Sequence, residues 1–518
     1  MRTEADSVTT RREILQRAAA LGLAVGGLGA LDAGTALAAS TAPKRGGRMI
    51  AGFVGGGDKE TLDPHLALAD IDFARGLNLF DRLTHFMPDL SVQPLLAESL
   101  EPNSKGTVWQ IKLRSGVTWH DGKPFTADDV LYSYRRIIGK KLIGASRLGA
   151  LDMARARKID NLTLTLPLKS PFADLPAMLA EVWLSIVQNG ATTFSPPIGT
   201  GPFKFKSWTP SRQSLFVKNE NYFASGKPYL DELQFVSIVD NTARLNALLN
   251  GQIHALVNLD YVQAKAHAKD RKLNLIIAHA PFTVPIYMRT DRAPFTDKRV
   301  RQALRLVVDR QQMVDNVLSG FGTVGNDLFS KGTPNYNTAL PQRKHDPEKA
   351  KSLLKQAGHD GLDLTLYTST AAPGMLESAT AFAQQAKAAN VNVKLIKTPA
   401  DTYYGGQYYL KVAMGQTNYQ GIIPVIWADA LLSNGPFNET AWKRPPFDRS
   451  FARSEATVDA ARRKRILYDM QEELWNEGGY IIWGFNDTID AVSPKVKGVK
   501  PSKYYYLGGV DFKSFWLA

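Results

Sequence analysis

Ser352 and Lys355 stand at the S-x-x-K spacing in which a lysine activates a serine for acyl transfer, the most reactive arrangement the chain offers. No S-D-N or K-T-G partner accompanies them. They also fall inside Asp346–Gly358, whose capping Asp, following Pro and terminal Gly already read as an ordinary helix. Gly55, Gly56 and Gly57 could wrap a phosphate, but no Lys-Ser/Thr pair follows, so the triplet reads as a loop. There is no H-E-x-x-H and no Gly-x-Ser-x-Gly elbow, and the eight histidines show neither i, i+4 nor clustered spacing. Cysteine is absent, which removes disulfides, thiolate metal sites, Cys nucleophiles and a lipid-anchored Cys together. The expectation is therefore no catalysis, no metal and no cofactor. What remains is recognition, which needs aromatic and apolar walls with a few placed polar groups. The stretch from Tyr403 to Trp442 supplies them: Tyr403, Tyr404, Tyr408, Tyr409, Tyr419, Trp427 and Trp442, with Asp429 the one acid between Asp401 and Glu439.

To position such a cleft the chain must build more than one body. At 518 residues with 44% apolar content it exceeds a single core and suits two or three lobes. The formal net charge of +14 could suit nucleic acid, yet the basic residues are spread out and the longest run, Arg462 to Arg465, reads as one solvated helix face. No nucleic-acid partner is expected.

Local patterns give the elements. Trp109, Ile111 and Leu113 alternate with Gln110, Lys112 and Arg114 at the two-residue period of a half-buried strand. Ser115 and Gly116 permit a turn, Val117 and Trp119 resume the apolar face, and Thr126 opens a helix with Asp128 and Asp129 in its first turn. Further strands are expected at Met49–Phe53, Leu364–Tyr367, Val391–Lys397 and Tyr480–Phe485. Helices are expected from Asp297 to Val308, from Asp309 to before Gly320, and over Arg463–Trp475.

Three strings in this frame carry a resemblance. The first runs L-A-E-S-x-E, W-x-I-K-L-R, W-H-D-G-K-P-F-T-A-D-D-V between Leu96 and Val130. The second is G-T-G-P-F at Gly199–Phe203, and the third is R-V-R-Q-A-L-R-L-V-V-D-R at Arg299–Arg310. With L-D-P at Leu62–Pro64 and D-P-x-K-A-x-x-L-L-x-x-A-G from Asp346, the chain resembles the extracytoplasmic solute-binding proteins of family 5, the peptide- and nickel-type binding components of ABC importers. The resemblance implies an α/β, periplasmic-binding-protein-like type II fold with two hinged main lobes and an inserted third. Lobe I would be 45–78, 194–276 and 488–518, lobe II 79–193, and lobe III 277–487. It implies capture of a dipeptide, oligopeptide or opine-like amino-acid derivative, delivery to a permease, and a monomer. In peptide-binding relatives an acid in this part of lobe III holds the ligand's amino terminus. Asp429 is the residue here in that place, with Trp427, Tyr419, Tyr403, Tyr404 and Trp442 around it. A nickel or haem carrier, a Tat-exported enzyme, or a sensory protein that presents its ligand to a receptor are the alternatives.

Thr10-Arg11-Arg12-Glu13-Ile14-Leu15 precedes a short Ala/Gly/Leu segment, and Ala36-Leu37-Ala38 offers a small-x-small cleavage site. Residues 1–38 read as a twin-arginine signal peptide, which sends the protein to the periplasm rather than into the membrane.

Overall fold

The computed structural model describes residues 42–518, apart from 56, 400–402 and 405–407. The expected signal peptide and its cleavage site lie outside the described residues. The polypeptide from Pro43 onward is organised around three main sheets of eight, five and four strands, with two two-stranded sheets beside them among the described residues.

The strand Val108–Leu113 shows why its sequence chose a sheet: Trp109, Ile111 and Leu113 are buried while Gln110 and Lys112 are exposed. It pairs antiparallel with Ala97–Pro102 on one side and Thr163–Pro167 on the other, and Arg157–Asp160 completes a four-stranded sheet. The helix Ala127–Gly139 covers this sheet through Val130, Leu131, Tyr134 and Ile137. Asp129 organises its entry, accepting from the Thr126 backbone N–H at 2.7 Å and from the Trp119 indole at 3.3 Å. This is lobe II.

Lobe I is an eight-stranded sheet in which Arg48–Phe53 lies parallel to Glu232–Ser237 and to Ala255–Leu256. The strands Gln213–Lys218 and Phe203–Thr209 extend one edge antiparallel. Lobe III is a five-stranded sheet whose parallel pair, Leu362–Ser369 and Val391–Thr398, is connected through the helix Met375–Ala386. The chain leaves lobe I along Asn274–Phe282 and returns along Gly484–Val492. These two strands are paired antiparallel from Asn274 opposite Val492 to Phe282 opposite Asn486. The expected lobe boundaries at 276/277 and 487/488 fall within this pair.

The W-H-D-G, G-T-G-P-F and L-D-P strings meet where lobe II joins lobe I, whereas the Arg299–Arg310 and Asp346 strings form helices packed in the core of lobe III. The His120 backbone N–H donates to the Gly199 carbonyl at 2.8 Å. Its ring accepts from the Gly199 N–H through Nδ1 at 3.2 Å, so Nε2 carries the proton it donates to the Gly201 carbonyl at 3.0 Å. Thr200 donates to the Asp81 carboxylate at 3.1 Å. Asp63 of the L-D-P element accepts from Arg136 of lobe II, both side chains being buried. That element is thus a clamp between lobes.

Burial holds the His120 imidazole neutral, its pKa drawn from 6.5 to about 4, with Lys204 reinforcing the shift and the Gly201 bond opposing it. The unfolded imidazole binds a proton near 6.5, so the stability this group contributes is complete above that pH and is lost as pH falls from 6.5 to 4. His120→Ala is expected to cost about 2 kcal/mol at pH 7.5 through two lost buried hydrogen bonds. The gap to wild type should narrow at pH 5. Urea unfolding at the two pH values checks this, and an equal gap at both would refute the neutral clamp.

Other motifs settle into structural work. Asp346 caps Pro347–Gln356 by accepting from the Lys349 N–H at 2.9 Å, and Ser352 accepts from Gln356 at 3.2 Å on that helix's exposed face. Asp309 caps Arg310–Val317, while Arg310 forms a buried ion pair with Asp327 at 2.8 Å. The Arg462–Arg465 run, expected to be wholly solvated, is not. Arg463 shares the buried face of Ala460–Glu477 with Ile466, Leu467 and Met470, because helical periodicity places it there. It reaches from lobe III to lobe II, donating to Asp174 at 2.6 Å and to Glu455 at 2.9 Å.

Candidate functional site

Three cavities lie in line between the lobes, and Gln420 lines all of them. The largest, about 400 Å³, sits against the strand pair that joins lobes I and III. Asn486, Asp487 and Thr488 contribute to it from Gly484–Val492, facing Arg244, Tyr261 and Phe282. Asp487 accepts from the His279 ring at 2.7 Å, and burial pushes its carboxyl upward against that bond. The Asn486 carboxamide is buried and makes no hydrogen bond within the described residues. A buried amide of this kind is an offered donor and acceptor, since leaving both unmade is costly.

The second cavity, about 140 Å³, is walled by Asp70, Phe73 and the run Tyr504-Tyr505-Tyr506. What aims the tyrosines is the tight turn after them, with Leu507, Gly508, Gly509 and Val510 all in the left-handed region. That backbone is disfavoured for leucine and valine, and it is pinned by the Leu507 N–H donating to Asp490 at 2.6 Å. Asp490 also accepts from the Asn258 N–H at 3.1 Å, and the Asn258 amide donates to Asp70 at 3.0 Å. Burial raises both carboxyls, Asp70 to about 6 and Asp490 to about 7.

The third cavity, about 190 Å³, is where all three lobes meet. Lobe II supplies Phe86, Arg147, Glu181 and Trp183, lobe III supplies Ile422 and Val425, and Tyr504 and Tyr505 close it.

None of the six residues expected from the sequence is among those that wall these three cavities. Tyr403 is fully buried, its hydroxyl donating to the Gln416 carbonyl at 2.6 Å. Tyr404 accepts from Asn418 at 2.8 Å. Tyr419 donates to the buried Glu439 carboxylate at 2.7 Å, which also receives the hydroxyls of Tyr409 and Tyr480. Trp427 packs on Phe447 with ring centroids 5.6 Å apart, and Trp442 packs on the same ring at 5.1 Å. Asp429 is half-buried and faces Arg147 of lobe II at 3.7 Å; burial raises its carboxyl and Arg147 opposes that. The neighbours Gln420, Ile422 and Val425 are the ones that reach the cavities.

Sequence reading passed over Glu181, Trp183, Asn486, Asp487 and the tyrosine run. One signal was present. Three consecutive large aromatics cannot all face one core from a strand or a helix, so at least one must point into a cavity or solvent. Among the described residues no three His, Asp or Glu side chains converge as a metal site, and no helix is long and apolar enough to cross a membrane.

Two α/β lobes joined by a crossing strand pair, a third lobe inserted in one of them, and cavities walled by all three define a type II periplasmic-binding fold. The chain belongs to the Bacterial extracellular solute-binding proteins, family 5 Middle, whose profile matches residues 91–437. The proteins of this family bind substrates rather than transform them. The chain is similar to the glutathione-binding protein GsiB of Pectobacterium atrosepticum, 27% identical over 467 residues that cover 85% of this chain and 89% of the relative. It is also similar to GsiB of Escherichia coli K12, 26% identical over 500 residues covering 91% and 95%. The structure of HbpA2 from Haemophilus parasuis superposes with a TM-score of 0.81 at 22% identity, over 91% of this chain and 100% of that one. That likeness is one of fold.

Proposed function

We propose that this protein is the substrate-binding component of an ABC importer. It is exported to the periplasm by its twin-arginine segment, captures a dipeptide, oligopeptide or opine-like amino-acid derivative between its lobes, and delivers it to the permease as a monomer without a cofactor. The observation that carries this reading is the line of cavities joined at Gln420 and walled by three lobes. A ligand held there touches every body whose relative position a permease would sense. The glutathione-binding relatives, with a tripeptide as ligand, support a guest at the small end of this range. So does the main cavity of about 400 Å³, within the ~300–1,000 Å³ usual for small-molecule sites. Of the six residues expected from the sequence, Asp429 acts at the cleft in this reading, by steadying Arg147, which lines it.

Thermal unfolding of the mature protein against glutathione, dialanine, longer alanyl peptides and opines tests the proposal. A ligand at a hundred times its Kd adds about 2.7 kcal/mol, a rise of roughly 3 °C for a chain of this length. No shift with any of these, together with a shift on adding nickel or haem, would replace the peptide reading with a metal or cofactor carrier.

A further inference from the structure

Charge in the third cavity is unevenly matched. Its two cations are both engaged: Arg147 faces Asp429 at 3.7 Å, and the Lys503 ammonium donates to the Gly332 carbonyl at 2.8 Å. Its carboxylate is not. Among the described residues the Glu181 side chain accepts no hydrogen bond and closes no ion pair, although it is partly buried and lines the cavity. Arg82, itself buried with Nε and Nη1 unpartnered, also stays beyond ion-pair distance of it. Burial raises the Glu181 carboxyl, and the fields of Arg147 and Arg82 counter that.

The wall around it is a run of rings in mutual contact. Phe86 meets Tyr504 with centroids 4.5 Å apart, Tyr504 meets Tyr505 at 4.3 Å, Tyr505 stacks on Phe73 at 5.3 Å, and Phe73 meets Trp183 edge-on at 5.6 Å. Aromatic faces attract cations through their quadrupoles, and a partly desolvated carboxylate among them needs a positive partner to offset its lost hydration. Aromatic faces with a carboxylate that no cation among the described residues approaches within ion-pair distance make a receptor for an ammonium or guanidinium group.

We infer that Glu181, backed by Trp183, Tyr504 and Tyr505, forms the subsite that receives a cationic group of the transported ligand and so selects amine- or guanidine-bearing solutes over neutral ones. This rests on the transport reading above. It assigns the cation to lobe II, opposite the lobe III acid, because Asp429 already has an arginine in front of it.

Calorimetric titration of wild type and Glu181→Gln with four probes separates the outcomes: dialanine, N-acetyl-dialanine, alanyl-arginine and N-acetyl-alanyl-arginine. The variant is expected to bind the amine- or guanidine-bearing probe at least tenfold more weakly, and to bind the doubly neutralised N-acetyl-dialanine within twofold of wild type. Loss confined to dialanine and alanyl-arginine assigns the site to the ligand's amino terminus, and loss that persists for N-acetyl-alanyl-arginine assigns it to a side chain. Equal losses on all four probes, or none, overturn the subsite while leaving the transport reading standing. If wild type binds none of the four, the subsite falls, while the transport reading is decided separately by the glutathione, longer-peptide and opine titrations above. Thermal unfolding of the free variant should stay at the wild-type midpoint or above it, which a purely structural role for Glu181 would not give.

Discussion

Asp327→Asn is expected to lower the free energy of unfolding by about 3–5 kcal/mol, the usual cost of removing one partner from a buried ion pair. Asp327 lies in the interior of lobe III and receives both oxygens' worth of contacts from Arg310 at 2.8 Å, the Arg343 Nε at 2.6 Å and the Ile482 N–H at 3.0 Å. Arg305 stands close by, fully buried, its guanidinium spent on the carbonyls of Tyr480 and Trp475 at 2.8 and 3.0 Å. Neutralising Asp327 therefore leaves a cluster of interior cations without their anion.

Asparagine is the informative replacement, because it keeps the shape and tolerates the backbone φ of 60° that Asp327 adopts. Burial would raise the Asp327 carboxyl, but Arg310, Arg343 and Arg305 overcome it and hold the group below its usual range. A depressed carboxylate contributes stability that is complete above its unfolded pKa and is lost as pH falls through the folded value. The variant should accordingly lose part of the wild type's acid sensitivity at the low end of the scale. Urea unfolding at pH 7 and at acid pH measures both effects. A loss below 1 kcal/mol would mean that the arginines find other partners and that the cluster is not the anchor of lobe III.

Gly199→Ala should cost about 3 kcal/mol or more and reduce the yield of folded protein, because a misfit at this point has nowhere to go. A Cβ at Gly199 would lie 1.7 Å from the Leu79 carbonyl oxygen, and one at Gly201 would lie 2.4 Å from that of Asn78. Both obstacles are backbone, so no rotamer change relieves them. Gly139→Ala makes the contrast, since nothing lies within 4 Å of a Cβ there and the residue ends the helix Ala127–Gly139. That change should be neutral or gain up to about 1 kcal/mol from helix propensity. Melting temperatures of the two variants decide the matter. A Gly199→Ala protein as stable as wild type would show that lobes I and II are not fastened through this turn.

These two residues also illustrate how legible the chain is. Gly199 stands in the G-T-G-P-F string, and the structure gives the reason for that spacing: the glycines let the turn pass against Leu79 and Asn78, and His120 of the W-H-D-G string bonds to the same turn. Asp327 stands in no motif. Its importance comes from arginines at 305, 310 and 343, which periodicity places on helices and loops without saying that they converge.

Local order was therefore readable from residue types. Alternating burial in Val108–Leu113, the caps at Asp309 and Asp346, and the amphipathic stripe of Lys298–Leu306 all follow from interactions between neighbours a few positions apart. The family strings added the three-lobed fold, and three of them, W-H-D-G, G-T-G-P-F and L-D-P, fasten lobe II to lobe I. The cleft wall was a different matter. Trp427, Trp442 and Tyr403 had the right chemistry, yet a large apolar side chain is equally suited to a core, and each found one within lobe III. Glu181 and Trp183 stand more than 300 positions before Tyr504-Tyr505 and become their neighbours only when the C-terminal segment returns to lobe I.

What the sequence determined by itself was many of the local elements, though the expected strand Tyr480–Phe485 divides into Tyr480–Ile481 and the start of Gly484–Val492, and the kind of protein they make, since these rest on short-range periodicity and on backbone geometry written in Gly, Pro and capping residues. What tertiary structure alone decided was which acid stands within ion-pair distance of a cation: Asp429 faces Arg147 of another lobe, and among the described residues Glu181 closes no ion pair. Charge compensation depends on distances across space, and one-dimensional spacing carries no measure of those.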